Sequence, residues 1–184
     1  MKLKSVLFLA SCIVFVSCSE PQARRPITAK TSTTLASTVA QTKVINKIEE
    51  QAILKYIESD SIHKYTVSSN GFWYTYNHKI EAETYTPKAN DRVLISYDIK
   101  DLNNEVIYSS EELGQKQYVV DKEDFITALQ IGIKMMKEGE SVTFVIPSFN
   151  AYGVVGDGNR IGINESIIST VTLLKINQTN RNEN

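Results

Sequence analysis

Residues Phe144–Gly153 read FVIPSFNAYG. Three apolar residues with strand character run into Pro147, which cannot donate to a sheet ladder and so ends the strand. A tyrosine then stands at the head of a loop carrying Gly153, Gly156 and Gly158, with no acid, base or nucleophile beside it. Working outward, Val142–Ile146 and Ile167–Ile176 read as two apolar strands around the loop Asn150–Asn164. Upstream, Asp121 reads as the N-cap of a single central helix, with Asp124 three residues on and Phe125, Leu129, Ile133 and Met136 along one face. Gly139 supplies its stop. Further upstream, Gly71–Tyr76, Arg92–Ile99 and Val106–Tyr108 have the β-branched and aromatic content of strands, and Asp101–Asn104 is a turn signal. Strands on both sides of one helix predict an α+β fold, a mainly antiparallel sheet wrapped on one short central helix.

The chain has 184 residues, 42% hydrophobic and 22% charged, the composition of one globular domain with appendages. With 20 basic and 21 acidic residues its net charge is -1, which gives nucleic acid no electrostatic reason to bind. The N-terminus pairs Lys2 and Lys4 with an apolar run, Val6–Val16, too short to span a bilayer as a helix. That pattern predicts an export signal over residues 1–17. Phe15-Val16-Ser17-Cys18 resembles the bacterial lipoprotein cleavage box and makes Cys18 the lipidated first residue. Leu9-Ala10-Ser11-Cys12 fits the box better by residue type, but cleavage there leaves too short an apolar stretch for export. The competing reading is a soluble periplasmic protein with Cys18 a free thiol. Either way at most one cysteine remains, so no internal disulfide is expected.

Residues 18–43 are rich in Ser, Thr, Ala and Gln and read as a lipidated flexible tether. Residues 44–89 hold an amphipathic helix, Val44–Ser59, with Ile45, Ile48, Ala52 and Tyr56 at helical spacing and Ile53 and Ile57 beside them, followed by a strand extension. The main domain is expected over 90–177, with a polar tail at 178–184. His63 and His78 lie in no ligand spacing, which leaves a zinc site without support. The Gly153–Gly158 loop is followed by neither a helix start nor a Lys-Ser/Thr pair, so a phosphate cradle is not expected. No serine or cysteine sits in a nucleophile motif.

What remains distinctive is a set of apolar and aromatic residues at strand ends and on the helix: Tyr97, Ile107, Tyr108, Tyr118, Phe125, Ile126, Leu129, Tyr152 and Ile161. From about Asn90 to Ile176 the sequence resembles an FKBP-type peptidyl-prolyl isomerase. Val93–Tyr97 is similar to the family's strand ending in tyrosine, and Val106–Ser110 to its Phe-Asp-Ser-Ser segment. Phe125–Leu129 and Met136–Glu140 resemble the pocket-floor helix and its exit, and Ile146-Pro147 through Ala151-Tyr152-Gly153 is the most specific match. The upstream helix, Gly71–Tyr74 and Tyr108 look closest to gliding-motility-associated isomerase lipoproteins of the Bacteroidetes.

The resemblance implies an FKBP-like fold, isomerase activity on proline-containing polypeptides, and no cofactor or metal. It implies that the Ile126 backbone N–H and the Tyr152 hydroxyl hold substrate carbonyls, while Tyr97, Ile107, Phe125, Leu129 and Ile161 wall the proline. The cleavage-box pattern makes a lipid bilayer a partner through Cys18, and the likeness to the motility-associated lipoproteins implies envelope motility proteins among the clients. Ser19 stands where enteric bacteria place the aspartate of inner-membrane retention, so an outer-membrane site facing the periplasm is expected. Three positions depart from the family: Tyr108 replaces a pocket aspartate, Ser169 a usual apolar residue, and Gly162-Ile163-Asn164 a Pro-Pro pair. These departures keep open a non-catalytic chaperone or binding module using the same groove. A third reading makes the Val44–Ser59 helix the working part, as a dimer or docking element.

Overall fold

A computed structural model describes residues 32–179; Cys18 and the expected signal segment lie outside them. Two compact units divide after Ser37, and the second holds every strand of the described residues. Helix α1 spans Ser32–Ser59. It is followed by β1 (Thr66–Val67), β2 (Trp73–His78), β3 (Arg92–Tyr97), β4 (Ile99–Lys100), β5 (Val106–Tyr108), α2 (Ser110–Leu113), β6 (Lys116–Val119), α3 (Thr127–Ile133), β7 (Ser141–Ile146) and β8 (Ile167–Asn177). The sheet runs β1-β2-β7-β8-β3-β6, with β4 bridging β5 and β8, and every pair is antiparallel.

Alternation along the strands sorts their side chains onto two faces. Val142, Phe144 and Ile146 of β7, Ile167, Val171 and Leu173 of β8, and Val93 and Ile95 of β3 form one buried cluster with Ala128, Leu129 and Ile133 of α3. The out-of-phase residues Val145 and Ile168 instead meet Ile53 of α1 in a second cluster. The two helices therefore cover opposite faces of the sheet. Each fully buried side chain of Phe or Ile size contributes about 1.5–3 kcal/mol, so α3 and its facing strands hold most of the core. Gly132 lets α3 approach closely: a Cβ there would lie within 2.5 Å of Phe144 Cζ.

Four local expectations are corrected. Helix α1 begins at Ser32 rather than Val44; the added residues contain no Gly or Pro to stop it. Its buried face runs through Glu49 and Ile53, while Ile48 is 60% exposed and Ala52 is also exposed. Asp121 is not a helix cap. It adopts φ +59°, its carboxylate takes an ion pair from Lys134 Nζ at 2.8 Å, and α3 starts six residues later with Ile126 in the cap position. Gly139 does adopt a left-handed conformation, φ +92°, but in the turn before β7. The 44–89 extension also joins the sheet directly, since β2 pairs β7 over Trp73↔Val145 to His78↔Ser141.

Candidate active site

All nine expected site residues fall in or against the same core cluster. Tyr97 ends β3, Ile107 and Tyr108 come from β5, Phe125 and Ile126 lead into α3, and Tyr152 and Ile161 belong to the connection between β7 and β8. The Tyr97 ring meets Phe125 edge-on at 5.3 Å between centroids. Tyr118 is fully buried 5.6 Å behind Phe125, so it backs the wall rather than facing a ligand. Leu129, on α3, is likewise fully buried. Gln130 Nε2 donates to the Phe125 carbonyl at 2.7 Å, which fixes the segment entering α3.

Two donors among these residues have no hydrogen-bond partner among the described residues. Ile126, at the cap position, uses its carbonyl to accept from Gln130 N, but its own N–H makes no bond. The Tyr152 hydroxyl makes none either, although its ring packs on the core. No buried side-chain polar atom lacks a partner among the described residues, so that hydroxyl reaches solvent. Burial pushes the Tyr152 phenol up to about 12, with added repulsion from Tyr97, Asp157 and Tyr108. Burial also raises Tyr97. Both phenols are therefore neutral donors at ordinary pH.

The connection after Tyr152 is latched by polar residues that the sequence reading did not single out. The Tyr108 hydroxyl donates to Asp157 Oδ2 at 2.5 Å and receives Asn159 Nδ2 at 3.0 Å. Asp157 Oδ1 accepts from the backbone N–H groups of Asn159 and Ile161 at 2.9 and 2.8 Å. Arg160 lies 4.6 Å over the Tyr108 ring, donates to the Ile107 carbonyl and pairs with Glu112. The bond to Asp157, then burial, raises Tyr108. Burial raises the Asp157 carboxyl, but the Tyr108 hydroxyl and three backbone donors outweigh it and leave it lowered. The Tyr108 hydroxyl is thus held by a carboxylate from position 157. Gly156, φ +69°, permits the turn, since a Cβ there would come within 3.0 Å of the Gly162 backbone.

Ser169 is fully buried and donates to the Asp98 carbonyl at 2.7 Å, so its hydroxyl is already occupied. Without the expected Pro-Pro pair, the late loop closes through Asn164 N to the Gly153 carbonyl at 2.8 Å. Hollow volume does not locate the site. A 450 Å³ hollow between α1 and the Leu102–Asn104 turn is lined by Lys55, Tyr56 and Ser59, without an apolar wall of this kind. Among the described residues no cluster of His, Cys, Asp or Glu could hold a metal.

The model of the family described as FKBP-type peptidyl-prolyl cis-trans isomerase matches residues 83–174. The chain belongs to the FKBP family. A curated relative, the probable FKBP-type peptidyl-prolyl cis-trans isomerase FkpA of Neisseria meningitidis serogroup B, is 31% identical over 96 residues. That alignment covers 52% of this chain and 35% of the relative, so the chain spans about a third of that protein's length. Among solved structures, FkpA of Escherichia coli is similar with a TM-score of 0.57 at 23% identity, covering 95% of this chain and 82% of that one. A peptidyl-prolyl cis-trans isomerase of Pseudomonas syringae pv. tomato gives 0.58 at 20% identity, covering 74% and 96%. At such identities these two likenesses establish the FKBP fold and nothing beyond it.

Proposed function

We propose that this FKBP catalyses cis-trans rotation of X-Pro bonds in polypeptides, at the surface formed by Tyr97, Phe125, Ile126 and Tyr152. The observation that carries the reading is the pair of unpartnered donors, the Ile126 N–H and the Tyr152 hydroxyl, set on an aromatic wall. Rotation about an amide faces about 18–20 kcal/mol because twisting destroys the C–N resonance. For X-Pro the end states differ by only about 0.5–1 kcal/mol, so no bond need be made or broken. An apolar wall favours the twisted amide, which separates less charge than the planar one. Tyr97, Ile107, Phe125 and Ile161 hold the proline ring, and the two donors fix carbonyls on either side of the rotating bond. The neutral phenols hold and orient without exchanging protons.

The alternative is a chaperone or binding module that uses the same surface without turnover. The occupied Tyr108 hydroxyl favours it, since that side chain stands at a rim position where the family resemblance implies a free carboxylate. Magnetisation-transfer NMR on X-Pro peptides with the purified chain separates the two: accelerated exchange establishes the enzyme, whereas binding without exchange across a peptide panel leaves the module.

The same reading places the protein on a bacterial envelope membrane, anchored through acylated Cys18, with the outer membrane facing the periplasm as its site and gliding-motility components among its clients. Its support is the Lys2, Lys4, Val6–Val16, Cys18 pattern and the resemblance to the motility-associated lipoproteins. No helix among the described residues is long and apolar enough to cross a membrane. In this proposal the acyl chains on Cys18 supply the attachment. Mass spectrometry of the N-terminal peptide from cells tests this. A Cys18 free of acyl groups removes the anchor.

A further inference from the structure

Glu49 lies on α1, yet it is only 7% exposed. Its carboxylate crosses to residues about a hundred positions later. Oε2 accepts from the Ser148 backbone N–H at 2.6 Å and from Ser166 Oγ at 2.8 Å, and Oε1 accepts from Ser148 Oγ at 2.7 Å. Ser148 and Ser166 are themselves buried, and they are the two stems of the connection between β7 and β8. That connection carries Tyr152, Asp157 and Ile161. The Ser148 carbonyl in turn accepts from Ala151 N and Gly153 N, both at 2.8 Å, framing Tyr152 on each side.

Helix docking alone does not call for this arrangement. Ile53, one turn further along the same face, is fully buried against Val145 and Ile168 and supplies the apolar contact. A buried carboxylate is unfavourable unless its oxygens are hydrogen-bonded. Here each of the three bonds goes to a loop stem.

We propose that Glu49 is a positioning residue of the isomerase site, resting on the function proposed above: it holds the two stems together and thereby sets Tyr152 and Ile161 against the proline wall. The segment matching the family, 83–174, does not contain it. The working unit of this chain therefore begins on α1.

The test compares Glu49→Ala, Glu49→Gln and Ser166→Ala with Ile53→Ala, all in the full chain in detergent solution. The readouts are kcat/KM on an X-Pro peptide, the Tyr152 ring and Ile161 methyl resonances, and Tm. Glu49→Ala is expected to lower kcat/KM about tenfold and to move both sets of resonances. Glu49→Gln, which keeps one acceptor oxygen, falls between it and wild type, and Ser166→Ala loses about threefold. Ile53→Ala lowers Tm at least as far but leaves kcat/KM within about twofold where it is folded. Unmoved Tyr152 and Ile161 resonances in Glu49→Ala overturn the proposal. So does a loss of kcat/KM that tracks Tm equally in Ile53→Ala. If Glu49→Ala does not fold, Ser166→Ala, which removes one bond of the three, carries the decision. An inactive wild type sinks the isomerase function instead, and the resonances still decide whether Glu49 holds the loop.

Discussion

Replacing Tyr152 by phenylalanine removes one oxygen atom, and the structure separates what that atom does for the fold from what it does for a substrate. Its hydroxyl makes no hydrogen bond among the described residues while its ring packs on the core. The change is therefore expected to shift stability by no more than about 0.5 kcal/mol. In the bound state one neutral hydrogen bond is lost, about 0.5–1.5 kcal/mol, which corresponds to about a two- to twelve-fold fall in kcat/KM. Tyr152→Ala is a poorer probe, because deleting a packed ring costs up to about 3 kcal/mol of stability and confuses the two effects. The assay is NMR exchange on an X-Pro peptide, with denaturant unfolding alongside. A kcat/KM equal to wild type would refute the carbonyl-holding role. A loss of more than about a hundredfold, or of more than about 1 kcal/mol in stability, would reveal an internal partner that the geometry lacks.

Tyr108→Asp, which by resemblance restores the family's residue, is expected to lower exchange activity further, because it sets a second carboxylate facing Asp157 and removes the phenol that Asp157 and Asn159 hold. Adding Asp157→Asn should recover part of the loss, and the single variant should be the more salt-sensitive of the two in an activity titration. Gly132→Ala is expected to destabilise by about 1–3 kcal/mol in urea unfolding, because its methyl meets the Phe144 ring. Stability should fall at alkaline pH. Phenols raised by burial contribute fully below their unfolded value of about 10, and the contribution is lost as pH climbs through the folded value, about 12 for Tyr152. Thermal melts of Tyr97→Phe/Tyr152→Phe should show a smaller alkaline fall than wild type.

The apolar strands and the family motif were legible because their signals are local. Val142–Ile146 and Ile167–Ile176 carry their own periodicity, and the Ile-Pro…Ala-Tyr-Gly run is contiguous. The edge strand Lys116–Val119 escaped, since two of its four residues are Lys116 and Gln117 and only Tyr118 is fully buried. Asp121 matched a cap by residue type, but aspartate also tolerates a left-handed backbone, which is the conformation it takes. The latch of Asp157, Asn159 and Arg160 meets partners some fifty residues upstream, which no spacing in the loop announces. Glu49 did leave a signal. It sits four residues from both Ile45 and Ile53, on the face that those two define, and a charge in that position points to buried partners.

The strand order β1-β2-β7-β8-β3-β6 sets the sequence in which the protein can fold. The last strand, β8, lies between β7 and β3 and reaches from Ile146↔Ile167 at one end to Arg92↔Asn177 at the other. Until Ile167–Asn177 is present, β3 and β7 share no ladder and each shows an open edge to any other extended chain. Closing contacts so distant in sequence is slow. A nascent or C-terminally shortened copy of this protein is thus itself an aggregation-prone client, needing shelter until its final eleven-residue strand arrives.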